Sequence, residues 1–225
     1  MNSPLTLRQT AGLIAGHHLI EAQLFRLTGA WSVGAEYGDG PDGGGEAGGA
    51  GSGGGAALDG VAVRSQALFA EISAHHGWRA EQWDQRQVRS VDGMASVEGE
   101  SAVEGQAPVE ATGAVDPGGT DADRLKAALA GFEAGEVGPT TRLAVWGHAL
   151  APWLAGRYQG HRASIAPAAD GGLDRWLGIC LDDLHLGMDK ALGLLAQHRD
   201  TSGAALASEA VAACLEQLLG REPSG

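Results

Sequence analysis

The stretch LTLRQTAGLIAGHHLIEAQLFRLTGAWS, residues 5–32, decides how this chain folds. It contains no proline and no strand-like alternation. Its apolar residues return on a helical period, with Leu7, Ala11, Ile14 and Phe25 on one face. Just upstream, Ser3 stands where an N-cap belongs and Pro4 at the first helical position. One residue interrupts the apolar stripe: Glu21, with His17, His18 and Thr28 near it along the helix. A carboxylate among apolar neighbours must be paired, metal-bound or protonated, because burying an uncompensated charge is too costly.

The same period recurs down the chain. Helices are expected over residues 58–89, 121–134, 139–165 with a bend at Pro152, 170–198 and 204–219, and no segment alternates like a strand. The expectation is therefore an all-α fold, a bundle of about four long helices plus shorter ones, formed by a single domain over residues 1–225. Two insertions interrupt it. Residues 38–56 read GDGPDGGGEAGGAGSGGGA, and residues 91–119 mix Gly, Ala, Glu and Pro without any period. Such compositions cannot bury a core, so both read as disordered loops.

Composition narrows the function classes. The net charge is −13, but nine of the acids lie in the two insertions without a single Lys or Arg beside them. The acidity therefore belongs mostly to those loops. Lys occurs only twice and the arginines are scattered, which gives no footprint for nucleic acid. No run approaches the ~18 apolar residues of a membrane span, and the opening MNSPLTLRQT lacks the basic and apolar regions of a secretion signal. A cytoplasmic protein without a membrane or nucleic-acid partner is expected. The two cysteines, Cys180 and Cys214, fall on apolar stripes and read as buried thiols. Phosphate-loop, zinc-protease and serine-elbow motifs are absent from the sequence.

Projection of each helix picks out the polar residues that turn inward. On the second helix, Val61, Leu68, Ile72 and Trp83 mark the buried face, and His75, His76 and Arg79 share it, with Glu71 at its edge. On the helix from Pro139, the stripe Leu143, Trp146, Leu150, Leu154 and Ile165 is joined by Arg157, Tyr158 and His161, whereas His148 points away. On the next, Asp183 lies between Trp176, Ile179 and Leu186, while Asp182 and Asp189 face out. The inward set is Glu21, Glu71, His75, His76, Arg79, Arg157, Tyr158, His161 and Asp183.

Inward Glu and His residues in a bundle invite a di-iron carboxylate reading, which takes one Glu from each of two helices and a Glu-x-x-His pair from each of the others. Glu21 suits the single-Glu place. Glu71 and His75 share a face, but at the i, i+4 spacing. In that reading Glu21, Glu71, His75, His161 and Asp183 would hold iron or another divalent metal, with Tyr158 as a donor behind them. The competing reading is a buried ion network, with Glu21 and Asp183 paired to Arg79, Arg157 or histidines. A pocket for a small molecule could use the same groups.

The segments IEAQLFRLTGAWS (20–32), FAEISAHHGWRAEQW (69–83) and LAGRYQGHRASIAPAADGGLDRWLGICLDDL (154–184) resemble a family of uncharacterised helical proteins from high-GC actinobacteria. Its members are similar to ferritin-like four-helix bundles. The likeness falls on the helices, contains every residue of the inward set, and implies a bundle without implying a reaction. The first functional expectation is thus a bundle that works by binding or assembly around an interior Glu/His/Arg network. The second is a metal-dependent, di-iron type oxidase or hydroxylase. A homodimer is expected from the last helix, where Leu206, Val211, Leu215, Leu218 and Leu219 form apolar edges on an alanine-rich backbone.

Overall fold

The computed structural model describes residues 5–33, 55–87, 119–132, 137–165, 170–197 and 201–220, and among them every regular element is helical. The elements are α1 (Leu7–Ser32), α2 (Gly55–Arg86), α3 (Gly119–Leu129), α4 (Pro139–Val145), a π turn (Trp146–Leu150), α5 (Ala151–Ser164), α6 (Gly171–Gln197) and α7 (Thr201–Leu219). The expected loop insertions lie outside the described residues, apart from their last few positions. Gly55 and Ala56 already belong to α2, and Gly119 opens α3.

Local chemistry sets the boundaries. Thr6, not Ser3, caps α1: its side chain accepts from the Gln9 backbone N–H while the Gln9 side chain returns to the Thr6 backbone, a complete capping box. Ser3 and Pro4 lie outside the described residues. The helix from Pro139 does not simply bend at Pro152. It widens through the π turn just before it, where the Ala151 N–H reaches back to the Trp146 carbonyl. Proline offers no N–H and its ring crowds the carbonyl four residues earlier, so a local change of period relieves both problems. α4, the π turn and α5 form one continuous rod.

Contacts fix the directions of the four long rods. His18 meets Ala80, and Ser73 meets Phe25, so α2 runs antiparallel to α1. His17 meets His161 and Arg142 meets Trp31, so the 139–164 rod also runs antiparallel to α1 and thus parallel to α2. Arg64 meets Gln197 and Lys190 meets Glu71, which returns α6 to the direction of α1. The order is up, down, down, up. α3 climbs beside α1 between the second and third rods, with the Trp31 indole donating to the Phe132 carbonyl just past its end. α7 packs on α3 and α4.

The core is apolar and aromatic, with Trp31, Phe69, Trp83, Trp146 and Leu154 essentially sealed from solvent. The expected stripes on α2, α4 and α5 are buried. On α1 the stripe is rotated from expectation: Leu7 is 60% and Phe25 45% exposed. Ile14 and Glu21 face the core as expected, joined there by His17, Leu24, Thr28 and Trp31. Phe25 lies over Gly77 of α2, its ring atoms at 3.1–3.2 Å from where a Cβ would stand, and closes the crevice between the two helices from outside. No helix among the described residues is long and apolar enough to cross a membrane.

Among the described glycines the closest fit is at Gly147 in the π turn, where an added Cβ would stand 2.7 Å from the Cδ2 of Leu192 on α6. That methyl can swing aside for one carbon but not for three. Gly147→Val should therefore cost about 2 kcal/mol by overpacking. It should lower the melting temperature by roughly 4–8 °C, with Gly147→Ala distinctly milder. An unchanged melting temperature for the valine variant would show that α6 is not held against the turn.

Candidate interior site

Glu21 is the centre of the interior, with no exposed surface. Its heptad place on α1 aims the carboxylate at α2 and α5. Oε1 accepts from Arg79 Nε at 2.9 Å and from the Tyr158 hydroxyl, and Oε2 contacts His76 Nδ1. The phenol in turn accepts from Trp83 Nε1 at 3.2 Å. Burial alone would push the Glu21 carboxyl up, but the Arg79 charge, His76 and the Tyr158 hydroxyl outweigh it and hold it at about 2. Glu21 is an anion at every ordinary pH.

Arg79, 2% exposed, carries the network onward. Nε serves Glu21 while Nη1 serves Asp183 Oδ2 on α6, and Asp183 Oδ1 lies 2.7 Å from His75 Nδ1 at the protein surface. Burial disfavours the guanidinium charge, yet the Glu21 carboxylate more than offsets it, so the group stays cationic. His76 is lowered by burial against the pull of Glu21 and is neutral. Its Nδ1 meets both the Glu21 carboxylate and Arg79 Nη2, the latter at 2.9 Å, while its Nε2 has no partner among the described residues.

A second buried pair adjoins the first. His17 Nε2 and His161 Nδ1 face each other at 3.0 Å, both rings sealed, with Trp83 and Tyr158 packed around them. Burial, helped by the neighbouring imidazole, lowers His17 to about 3, and burial lowers His161 to about 4. Two neutral imidazoles sharing one hydrogen bond leave one N–H and one lone pair on their outer nitrogens, whichever ring donates. Neither outer nitrogen has a partner among the described residues.

The structure thus gathers Glu21, His76, Arg79, Tyr158 and Asp183 into one hydrogen-bonded cluster and sets His161 beside it. His75 joins at the rim, its side chain 41% exposed. Two residues of the expected inward set do not join. Glu71 is exposed and pairs with Lys190, and Arg157 turns to Asp121 of α3, a pairing that no sequence pattern indicates. The expected ligand set Glu21, Glu71, His75, His161 and Asp183 does not converge. No group of three or more His, Cys, Asp or Glu side chains able to hold a metal is formed among the described residues. His17, missed as an inward residue, carried a signal: it sits four before Glu21 and three after Ile14 on the true heptad of α1. Cys180 and Cys214 are buried, and burial raises both thiols, Cys214 to about 12. His148 is exposed, as expected. Trp78 is 47% exposed and packs edge-on against Trp176, whereas Trp83 is buried and reaches the cluster through Tyr158.

No protein-family model, curated protein or solved structure matches the chain.

The depressed histidines set a pH dependence. His17, His76 and His161 take up protons in the unfolded chain near pH 6.5 but resist them when folded. The stability they contribute is full above pH 6.5 and is lost as pH falls below it. Glu21 acts in the same sense lower down, from 4.5 towards 2. His17 and His161 each add about 1.4 kcal/mol per pH unit to the slope between pH 6.5 and 4.5, and His76 acts in the same direction. Denaturant titrations across that window should show stability falling with acidification, and His17→Phe should lower the slope by about 1.4 kcal/mol per pH unit. An unchanged slope would mean His17 titrates normally in the folded protein.

Proposed function

We propose that this chain is a ferritin-like helical bundle that acts through binding or assembly, its interior residues fixing how the rods pack instead of carrying a reaction. Two features support the bundle assignment. The long rods run up, down, down, up, and a single long crossover containing α3 links the second to the third. One long crossover is how ferritin-like folds differ from simple up-down bundles.

The observation that carries the functional reading is the position of Arg79 between the Glu21 and Asp183 carboxylates. In a di-iron bundle, inward carboxylates are bridged by metal cations. Here the chain's own guanidinium bridges them, occupying oxygens that a metal would need and repelling a second cation. The cavity beside the cluster, bordered by Arg79, Trp146 and Asp183, measures about 10 Å³, the space of one water molecule. A substrate has no room there. The oxidase or hydroxylase reading would require Arg79 to leave both acids while remaining buried, which nothing in the packing favours.

Protein purified without chelator should hold far less than one equivalent of iron, manganese or zinc by elemental analysis. Glu21→Gln should then cost about 3 kcal/mol or more, as expected for breaking a buried charge pair, while metal content stays the same. Stoichiometric metal in the wild type that disappears in Glu21→Gln would overturn the reading in favour of a metal enzyme.

A further inference from the structure

α7 uses one face to close the fold: Ala207, Cys214 and Leu218 are buried against α3 and α4. The adjoining face carries Ala204, Ser208, Ala212, Leu215 and Leu219, at spacings of four, four, three and four. The first four members of that stripe and Val211 border an open groove of about 420 Å³, whose opposite wall is built by Thr140, Ala144, His148 and Leu195. Leu219, one turn beyond Leu215 on the same stripe, is 53% exposed.

We propose that this groove is the interface between two copies of the chain, joined by an antiparallel α7–α7 contact about a two-fold axis. The proposal deepens the assembly reading above and rests on it. The side chains supply the argument. The first half of the stripe is small and the second half is bulky. In a parallel pair, Leu215 would meet Leu215 and Leu219 would meet Leu219, splaying the helices at one end and leaving a gap at the other. In an antiparallel pair with the two Ala212 residues flanking the axis, Ser208 comes opposite Leu215 and Ala204 opposite Leu219. Small then faces large on both sides of the axis, with Ala212 meeting Ala212 between them, so neither end of the helix pair splays. A two-fold contact repeats that match twice from one sequence.

The chain carries −13, yet no Asp, Glu, Lys or Arg lines the groove itself. An oppositely charged partner therefore finds nothing to hold inside it. Glu209 and Glu216 are exposed beside the stripe, so salt that screens them should tighten the contact. One helix face per copy, about 28 Å long, lies at the small end of specific interfaces, below about 1,200 Å². Association is accordingly expected in the micromolar range.

Sedimentation equilibrium of the full chain over about 1–200 µM should show a reversible monomer–dimer exchange. Ala212→Glu sets two carboxylates across the axis and should raise the dissociation constant about 100-fold or more, with an unchanged circular dichroism spectrum. Ala213→Glu, on the other side of the helix, should leave the dimer intact and controls for a general effect of added charge. An equimolar mixture of Ala212→Glu and Ala212→Lys chains should re-form the dimer, because only a two-fold contact brings position 212 against itself. A wild type that stays monomeric throughout overturns the proposal, as does a dimer untouched by Ala212→Glu or by mixing. A monomer that binds anilinonaphthalene sulfonate, with the dye lost in Ala212→Glu, would overturn it in favour of a small apolar ligand. Metal content and the Glu21→Gln stability are read at the interior. A monomer would thus remove this interface and leave the interior reading standing, while stoichiometric iron would do the reverse.

Discussion

The packing of the four long rods depends on one guanidinium held between two carboxylates. Arg79 of α2 bonds Glu21 of α1 through one nitrogen and Asp183 of α6 through another, and Tyr158 of α5 closes on the same Glu21 oxygen. Every rod supplies one member. A planar fork accepts carboxylates only in fixed directions, so the cluster constrains register and rotation together. Sliding any rod by one helical turn would strip charges of their partners in a sealed interior, at a cost of several kcal/mol. Apolar packing tolerates many arrangements of similar energy, and a buried network of this kind removes most of them.

The surroundings make the cluster strict. Trp83, Trp146 and Leu154 exclude water from it, and dry surroundings strengthen each pairing while penalising each orphan. The same dryness keeps His17, His76 and His161 neutral, so acid attacks the protein first through its imidazoles. From Trp83 the bonds run through Tyr158, Glu21, Arg79 and Asp183 to His75, so a charge cluster sealed at Glu21 opens to solvent at one edge. That edge is too narrow to admit more than a water molecule.

Much of this was legible in the sequence, because helix period and burial are both local properties. Glu21, His76, Arg79, Tyr158, His161 and Asp183 all fall on apolar stripes, and each is at least mostly buried. The rotation of the α1 stripe was harder to see. Leu7 and Phe25 look like core residues by type, but the heptad Ile14, His17, Glu21, Leu24, Thr28, Trp31 contains three polar members that weaken its apparent hydrophobicity. Pairing between elements was not legible. Arg157 shares the face of Tyr158, yet its partner Asp121 sits on α3, and no periodicity within one helix indicates which neighbour that helix receives. The π turn was equally hidden: Pro152 announces a fault, but whether the helix kinks or widens depends on how α6 packs at Gly147.

In the proposed reading, a bundle centred on an ion pair of its own serves as a scaffold, and its exposed faces are where partners would be met. That view stands or falls on whether Glu21 and Arg79 are energetically one unit. The direct measurement is a double-mutant cycle with Glu21→Gln, Arg79→Met and the combined variant, each unfolded in denaturant at pH 7. The account predicts a coupling of about 2–3 kcal/mol, with the double variant much less destabilised than the two single losses added together. Additive losses, with coupling below about 0.5 kcal/mol, would contradict it.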